Sequence, residues 1–223
     1  MIVVKRHQLN PIFTNDPANE WEKEGAFNGC VLKENDTSYH MVYRAFAAPT
    51  RWANAEINIS SVGYAHSTDG IRFDSRRQLI SPEHDWERFG CEDPRITKID
   101  DTYYIFYTAL SMYPFGAQGI KVAVATTKNL DHIEHKYPVT PFNAKAMSLF
   151  PEKINGKFTA ILTAHTDLPP SKISIATFDR EEDIWSPEYW KNWYAHLNDH
   201  VVPLQRTLDD HIEIGAPPVK TDQ

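Results

Sequence analysis

Lys98-Ile99-Asp100-Asp101-Thr102-Tyr103-Tyr104-Ile105-Phe106-Tyr107-Thr108-Ala109 is the stretch that decides the fold. It reads as strand, tight polar turn, strand. Asp100-Asp101 tolerates the positive φ angles that a two-residue hairpin turn requires. The same pattern opens at Lys33, running to Ala45, and at Lys153, running through Asn155-Gly156 to Ala164. Each copy is followed by a further short strand: Ser61 to Ser67, Lys121 to Thr126, and Lys172 to Thr177. Thr68-Asp69-Gly70 and Lys128-Asn129-Leu130 then mark turns. A strand triplet of this kind cannot bury both faces alone. Copies at intervals of about 55 to 65 residues, in one order, predict an all-β chain built as blades of a β-propeller; a β-sandwich is the alternative. Val219-Lys220-Thr221-Asp222-Gln223 resembles the opening of a fourth copy. The expectation is therefore one partial propeller domain over residues 1–223, with about three blades and the start of a fourth. Asp183 to Leu197 is the best helical segment, with Ser186-Pro187-Glu188 as its start.

With 223 residues the chain can build one sizeable core. Six Trp, ten Tyr and eleven Phe suit β-structure and also suit stacking on sugar rings. The net charge of −7 argues against a nucleic-acid partner. The short apolar run Ile2-Val3-Val4 is neither a signal peptide nor a membrane span, so no membrane partner is expected. Cys30 and Cys91 read as reduced, small, buried residues of a cytoplasmic protein; a single disulfide is the alternative. The ten histidines are scattered without zinc spacing, so no metal is expected.

Gly90-Cys91-Glu92-Asp93-Pro94-Arg95 carries the chemistry. Two adjacent carboxylates, a proline and an arginine precede a buried-type strand. Pro94 should push Asp93 toward an extended backbone and so aim its carboxylate. A turn with a local Asp–Arg ion pair and a proton-transfer site both fit these six residues.

Asn28-Gly29, Tyr43-Arg44-Ala45, Gly90 to Ile96, Tyr107-Thr108-Ala109, Leu149 to Lys157 and Gly215-Ala216-Pro217-Pro218-Val219-Lys220-Thr221, in this order, resemble glycoside hydrolase family 130. Its members are five-bladed β-propellers that cleave β-mannosides, many by phosphorolysis and some by hydrolysis. The resemblance covers nearly the whole chain. It implies that Asp93 is the general acid of an inverting cleavage of mannooligosaccharides. It also implies that Asn28, Arg44, Glu92, Arg95, Tyr107, Thr108 and Glu152 contact substrate, and that assembly into a homo-oligomer is common. No cofactor is implied beyond inorganic phosphate as co-substrate, for which Lys153 and His165 are the remaining candidate ligands.

Two departures bear on the acceptor. Thr166 stands where the phosphorylase pattern has arginine, and Ala146 follows Lys145 where the pattern has aspartate. Glu213 could serve as a general base for water. The sequence therefore leans to hydrolysis, with phosphorolysis releasing mannose 1-phosphate as the alternative. Two rival classes are a non-catalytic sugar-binding propeller and a furanoside-cleaving propeller using Asp16 of Asn15-Asp16-Pro17.

Overall fold

The computed structural model describes residues 5–205, 207 and 211–221. The described chain is all-β apart from one short helix and a few single turns of 3-10 helix. Three antiparallel units follow one another. The first holds β1 (Gly25–Asn35), β2 (Ser38–Phe46), β5 (Ser60–Ser67) and β6 (Asp74–Ile80), with a small hairpin, β3 (Thr50–Trp52) and β4 (Ala55–Ile57), between β2 and β5. The second holds β7 (Gly90–Ile99), β8 (Thr102–Leu110), β9 (Ile120–Thr127) and β10 (His135–Pro138). The third holds β11 (Ala144–Leu149), β12 (Phe158–Ala164) and β13 (Lys172–Phe178), with an isolated bridge from Ser174 to Val201 beside it. One parallel bridge, Ser60 to Gly90, links the first two units.

The hairpin turns follow the local chemistry. Ile99 pairs with Thr102 around Asp100-Asp101, and Asp100 takes a φ of 53°. Ile154 bridges Lys157 around Asn155-Gly156, with φ of 53° and 80°. Lys153-Ile154, however, is not a strand. Phe150 still donates its N–H to Thr159 O, and the strand has ended by Pro151. The first strand of the third unit is β11, upstream of that proline. The expected helix is real but shorter than read: α1 (Pro187–Ala195) starts at Pro187, with Ser186 Oγ accepting the Tyr189 N–H. Asp222 and Gln223, part of the expected fourth copy, lie outside the described residues.

A feature with no turn signal in the sequence recurs in every unit. Phe27 and Cys30 on β1 pair with Arg44 and Val42, so the first strand carries one extra residue. Glu92 and Arg95 pair in the same way with Thr108 and Phe106, and Lys145 and Ser148 with Thr163 and Ile161. Each is a β-bulge with one residue in the left-handed region: Asn28 (φ 49°), Asp93 (φ 51°) and Ala146 (φ 50°). These three residues therefore hold one equivalent position in three units.

The three first strands neighbour one another. Cys30 Sγ on β1 accepts the Ile96 N–H of β7 at 3.5 Å, and Thr97 Oγ1 of β7 donates to Leu149 O of β11 at 3.2 Å. Apolar cores fill the gaps between units. Val42, Val62 and Tyr64 pack on Ile96, Ile105 and Tyr107; Phe106, Val122 and Val124 pack with Met147, Leu149 and Leu162.

Candidate active site

The bulges of the first and second units meet. Asp93 Oδ1 accepts a hydrogen bond from Asn28 Nδ2 at 2.5 Å. Arg44 of β2 places one guanidinium nitrogen 2.6 Å from Glu92 Oε1 and another 3.7 Å from Asp93 Oδ1. Its Nε donates to Ser60 Oγ, which in turn donates to Glu92 Oε1, both at 3.0 Å. Burial lifts the Glu92 carboxyl above the ordinary carboxylate value against the pull of Arg44, and the Asp93 charge adds to the lift. Asp93 keeps a partly exposed side chain beside this clamp.

The backbone at Asp93 corrects the expectation drawn from Pro94. Asp93 is left-handed rather than extended, because the bulge places an extra residue there and Asp tolerates that region. Arg95 fixes the bulge from the other side. Its guanidinium donates to Asp93 O and Pro94 O, both at 3.1 Å, and to Gly215 O at 2.6 Å. Its bonds run to backbone carbonyls, so Arg95 ties the 211–221 segment to the acid strand. A cavity of about 610 Å³ runs from Asn28 and Arg95 along β1 and is lined also by Pro151 and Gly215 to Lys220.

The third unit contributes a cation. Lys145 occupies the register position of Glu92, and its charge works against the lift that burial gives the Glu92 carboxyl. It is held by Asp167 at 3.1 Å, itself bonded to Asn143 at 2.9 Å. Ser60 and Lys145 were not among the residues read as site members. Ser60 gives no local signal; Lys145 stood out only as the neighbour of Ala146.

Several expected members lie elsewhere. Tyr107 is 2% exposed, and its hydroxyl donates to the fully buried Glu87 at 2.6 Å. Lys136 binds the same carboxylate and also reaches Glu83. Tyr107 is therefore part of the core, not a sugar-stacking face. Thr108 is buried opposite Glu92 and does not line the opening. Glu152 pairs with Lys220 at 2.7 Å on the surface. Lys153 lies 3.8 Å from Asp100 in the β7–β8 turn. At ~3.3 Å per residue along β7, that turn is roughly 20 Å from Asp93. Glu152 and Lys153 follow β11 toward that far end, so neither reaches Asp93.

His165 is at the acid end of its unit, its N–H bonded to Asn143 O. Its Nε2 is 2.7 Å from the Tyr194 hydroxyl, and burial lowers its basicity. Thr166 is buried and donates to Thr163 O within its own unit. Glu213 faces His211 at 3.8 Å. Asp16 accepts the Ala18 N–H in a tight turn, the ordinary role of an Asp before Pro.

The family model of glycoside hydrolase family 130, described as beta-1,4-mannooligosaccharide phosphorylase, matches residues 5–223. The chain belongs to glycoside hydrolase family 130. A 1,2-beta-oligomannan phosphorylase of Thermoanaerobacter sp. (strain X514) is 37% identical over 99% of this chain and 69% of its own length. A beta-1,2-mannobiose phosphorylase of the same strain is 34% identical over 71% of this chain and 53% of its own. Among solved structures, a glycosyl hydrolase from Bacteroides ovatus shares the fold, with a TM-score of 0.59 and 23% identity over 78% of this chain. This chain spans 55% of that molecule. Cys30 and Cys91 are both free and buried. Among the described residues no helix is long and apolar enough to cross a membrane.

Proposed function

We propose that the three units are blades of a five-bladed β-propeller whose acid end cleaves the β-mannosidic bond of an oligomannoside with inversion. The clamp on Asp93 carries this reading: a carboxylate set by a bulge, held at 2.5 Å by Asn28 and balanced by Arg44. Asp93, protonated before the step, gives its carboxyl proton to the leaving oxygen and is left as the carboxylate that Asn28 and Arg44 hold. An oxocarbenium-like transition state needs that proton and a nucleophile on the opposite face of the ring. Asn28 fixes the carboxylate direction. Arg44 neutralises Glu92, so the two adjacent acids do not have to share one uncompensated charge.

The named relatives support phosphate as the nucleophile and a β-1,2 bond as the one cleaved. Lys145 and His165 are the cationic or polar groups at the acid end that an incoming phosphate would meet; Lys153 is not. The relatives' greater length supports a ring larger than the three units described here. The two free cysteines support a cytoplasmic location.

Hydrolysis is the second reading. It is favoured by Thr166, whose hydroxyl is turned into its own unit, and by the accessible carboxylate of Glu213. The test is turnover of β-1,2-mannobiose and β-1,2-mannotriose by the full-length protein with and without phosphate. Mannose 1-phosphate formed only with phosphate is the expected product. Free mannose at equal rates in both arms assigns hydrolysis. Binding without any cleavage assigns a sugar-binding propeller and removes the reaction.

A further inference from the structure

We propose that Trp52, Tyr113 and Phe115 form a platform that binds a pyranose ring of the oligosaccharide beyond the bond being cleaved. The proposal rests on the oligomannoside reading above and names where the rest of that chain lies. The 47–59 and 111–119 segments both leave the sheets at the end where Gly90 pairs with Leu110 and bridges Ser60. That is the acid end of the strands.

Four large apolar side chains stand open there. Trp52 and Tyr113 are 36% exposed, Met112 is 40% and Phe115 is 49%. They come from two separate segments, and two of them, Trp52 and Tyr113, pack on the buried Phe89. The Trp52 ring meets Phe89 edge-on at 5.0 Å, Tyr113 lies at 6.3 Å from it, and Phe115 stands at right angles to Tyr113 at 5.3 Å. A separate small core of Ile57, Leu110 and Ile120 supports Phe89 from below. The rings are thus braced before any ligand arrives. Ser111 N–H and Oγ both bond Gly119 O, closing the loop neck. Gly119 itself leaves room for Met112, since a Cβ there would meet Met112 Cγ at 2.2 Å.

A contiguous exposed aromatic group signals a ligand or partner surface. Two observations favour a sugar. Phe89 directly precedes β7, and Asp93 lies four residues further on, so the platform begins on the order of 10 to 15 Å from the acid at ~3.3 Å per residue. That gap is one that a short run of sugar rings bridges. The Arg88 guanidinium sits 4.7 Å over one face of the Trp52 ring, covering that face and placing a hydrogen-bond donor beside the exposed rings. An apolar face with a polar rim matches the C–H face and hydroxyl edge of a pyranose.

Calorimetry of β-1,2-mannotetraose on the full-length Asp93→Asn protein, with and without Trp52→Ala/Tyr113→Ala, reads the platform independently of cleavage. The expected result is Kd weaker by roughly tenfold without the rings, with most of the loss restored by Trp52→Phe/Tyr113→Phe. All substituted side chains are partly exposed, and far-UV circular dichroism confirms the fold. Equal Kd values overturn the platform while leaving the Asp93 chemistry standing. If the double alanine variant keeps Kd but falls to a smaller species on gel filtration, the patch is a contact between copies and the proposal is also overturned. Tenfold weakening, together with no mannoside cleavage by the protein that keeps Asp93, supports the platform and overturns the reaction instead.

Discussion

At the scale of single residues, the proposed acid stands in a motif visible in the sequence, and its surroundings are only partly legible there. Glu92-Asp93-Pro94-Arg95 concentrates unlike charges beside a proline, a pattern that fits a local ion pair as well as a proton-transfer site, and only the resemblance to glycoside hydrolase family 130 singled out position 93. The partners Asn28, Arg44 and Ser60 lie 65, 49 and 33 positions earlier than Asp93 in the chain, so no local spacing ties them to it. Tyr107 was misread because an aromatic in a strand looks the same whether it faces a ligand or a core; its direction was settled by the buried Glu87–Lys136 pair. Asp93→Asn is expected to lower kcat by about 10² to 10⁴, the usual range for a lost general acid. Asn28→Ala should lower it by roughly tenfold, since a hydrogen bond to a charged group is worth about 1.5–3 kcal/mol and Arg44 remains. Asn28→Asp should be worse than Asn28→Ala, because it sets a like charge against Asp93. Steady-state kinetics on mannobiose checks the order; equal activity for the alanine and aspartate variants would remove Asn28 from the clamp.

At the scale of elements, turns were readable and bulges were not. Asp100-Asp101 and Asn155-Gly156 announce themselves because few residues accept positive φ. Asn28, Asp93 and Ala146 accept it too, yet they sit inside strands, where alternation is the only signal and one extra residue merely shifts its phase. The far ends of the strands carry a second device. Glu34 of β1 bonds Lys98 of β7, Tyr103 of β8 at 2.6 Å and His40 of β2 at 3.0 Å. Those bonds, Lys98 first, hold the Glu34 carboxyl down at about 2, from an ordinary value of 4.5. The folded value is the depressed one, so its contribution to stability is fully present above pH 4.5 and is lost as pH falls toward 2. Glu34→Gln is therefore expected to melt lower than the unaltered protein at pH 7, with the difference shrinking through that acid window. Thermal melts from pH 7 to pH 2 check this; a constant difference at every pH would show that the carboxylate charge is not what joins β1 to β7.

At the scale of the whole molecule, the repeat foretold the order of units but not how they are joined. The joints pair residues that are distant in sequence, such as Cys30 with Ile96 and Thr97 with Leu149, and the apolar positions facing a neighbouring unit look like any other core positions. The second and third units share one core, into which α1 inserts Trp190, fully buried with its Nε1 donating to Ile184 O at 2.8 Å. Phe142, Phe178 and Trp193 surround its ring. Trp190→Ala removes the largest fully buried side chain. It should cost about 3–5 kcal/mol, the transfer free energy of the ring plus the cavity left behind. Because that core spans two units, the loss should move the whole urea transition to lower denaturant with its slope kept, as expected when one cooperative structure is weakened. An early, separate transition confined to part of the signal would show instead that the third unit unfolds alone. The acid clamp, built from the first two units, would then survive in the intermediate, and mannotetraose would still bind it at urea concentrations where the third unit has melted.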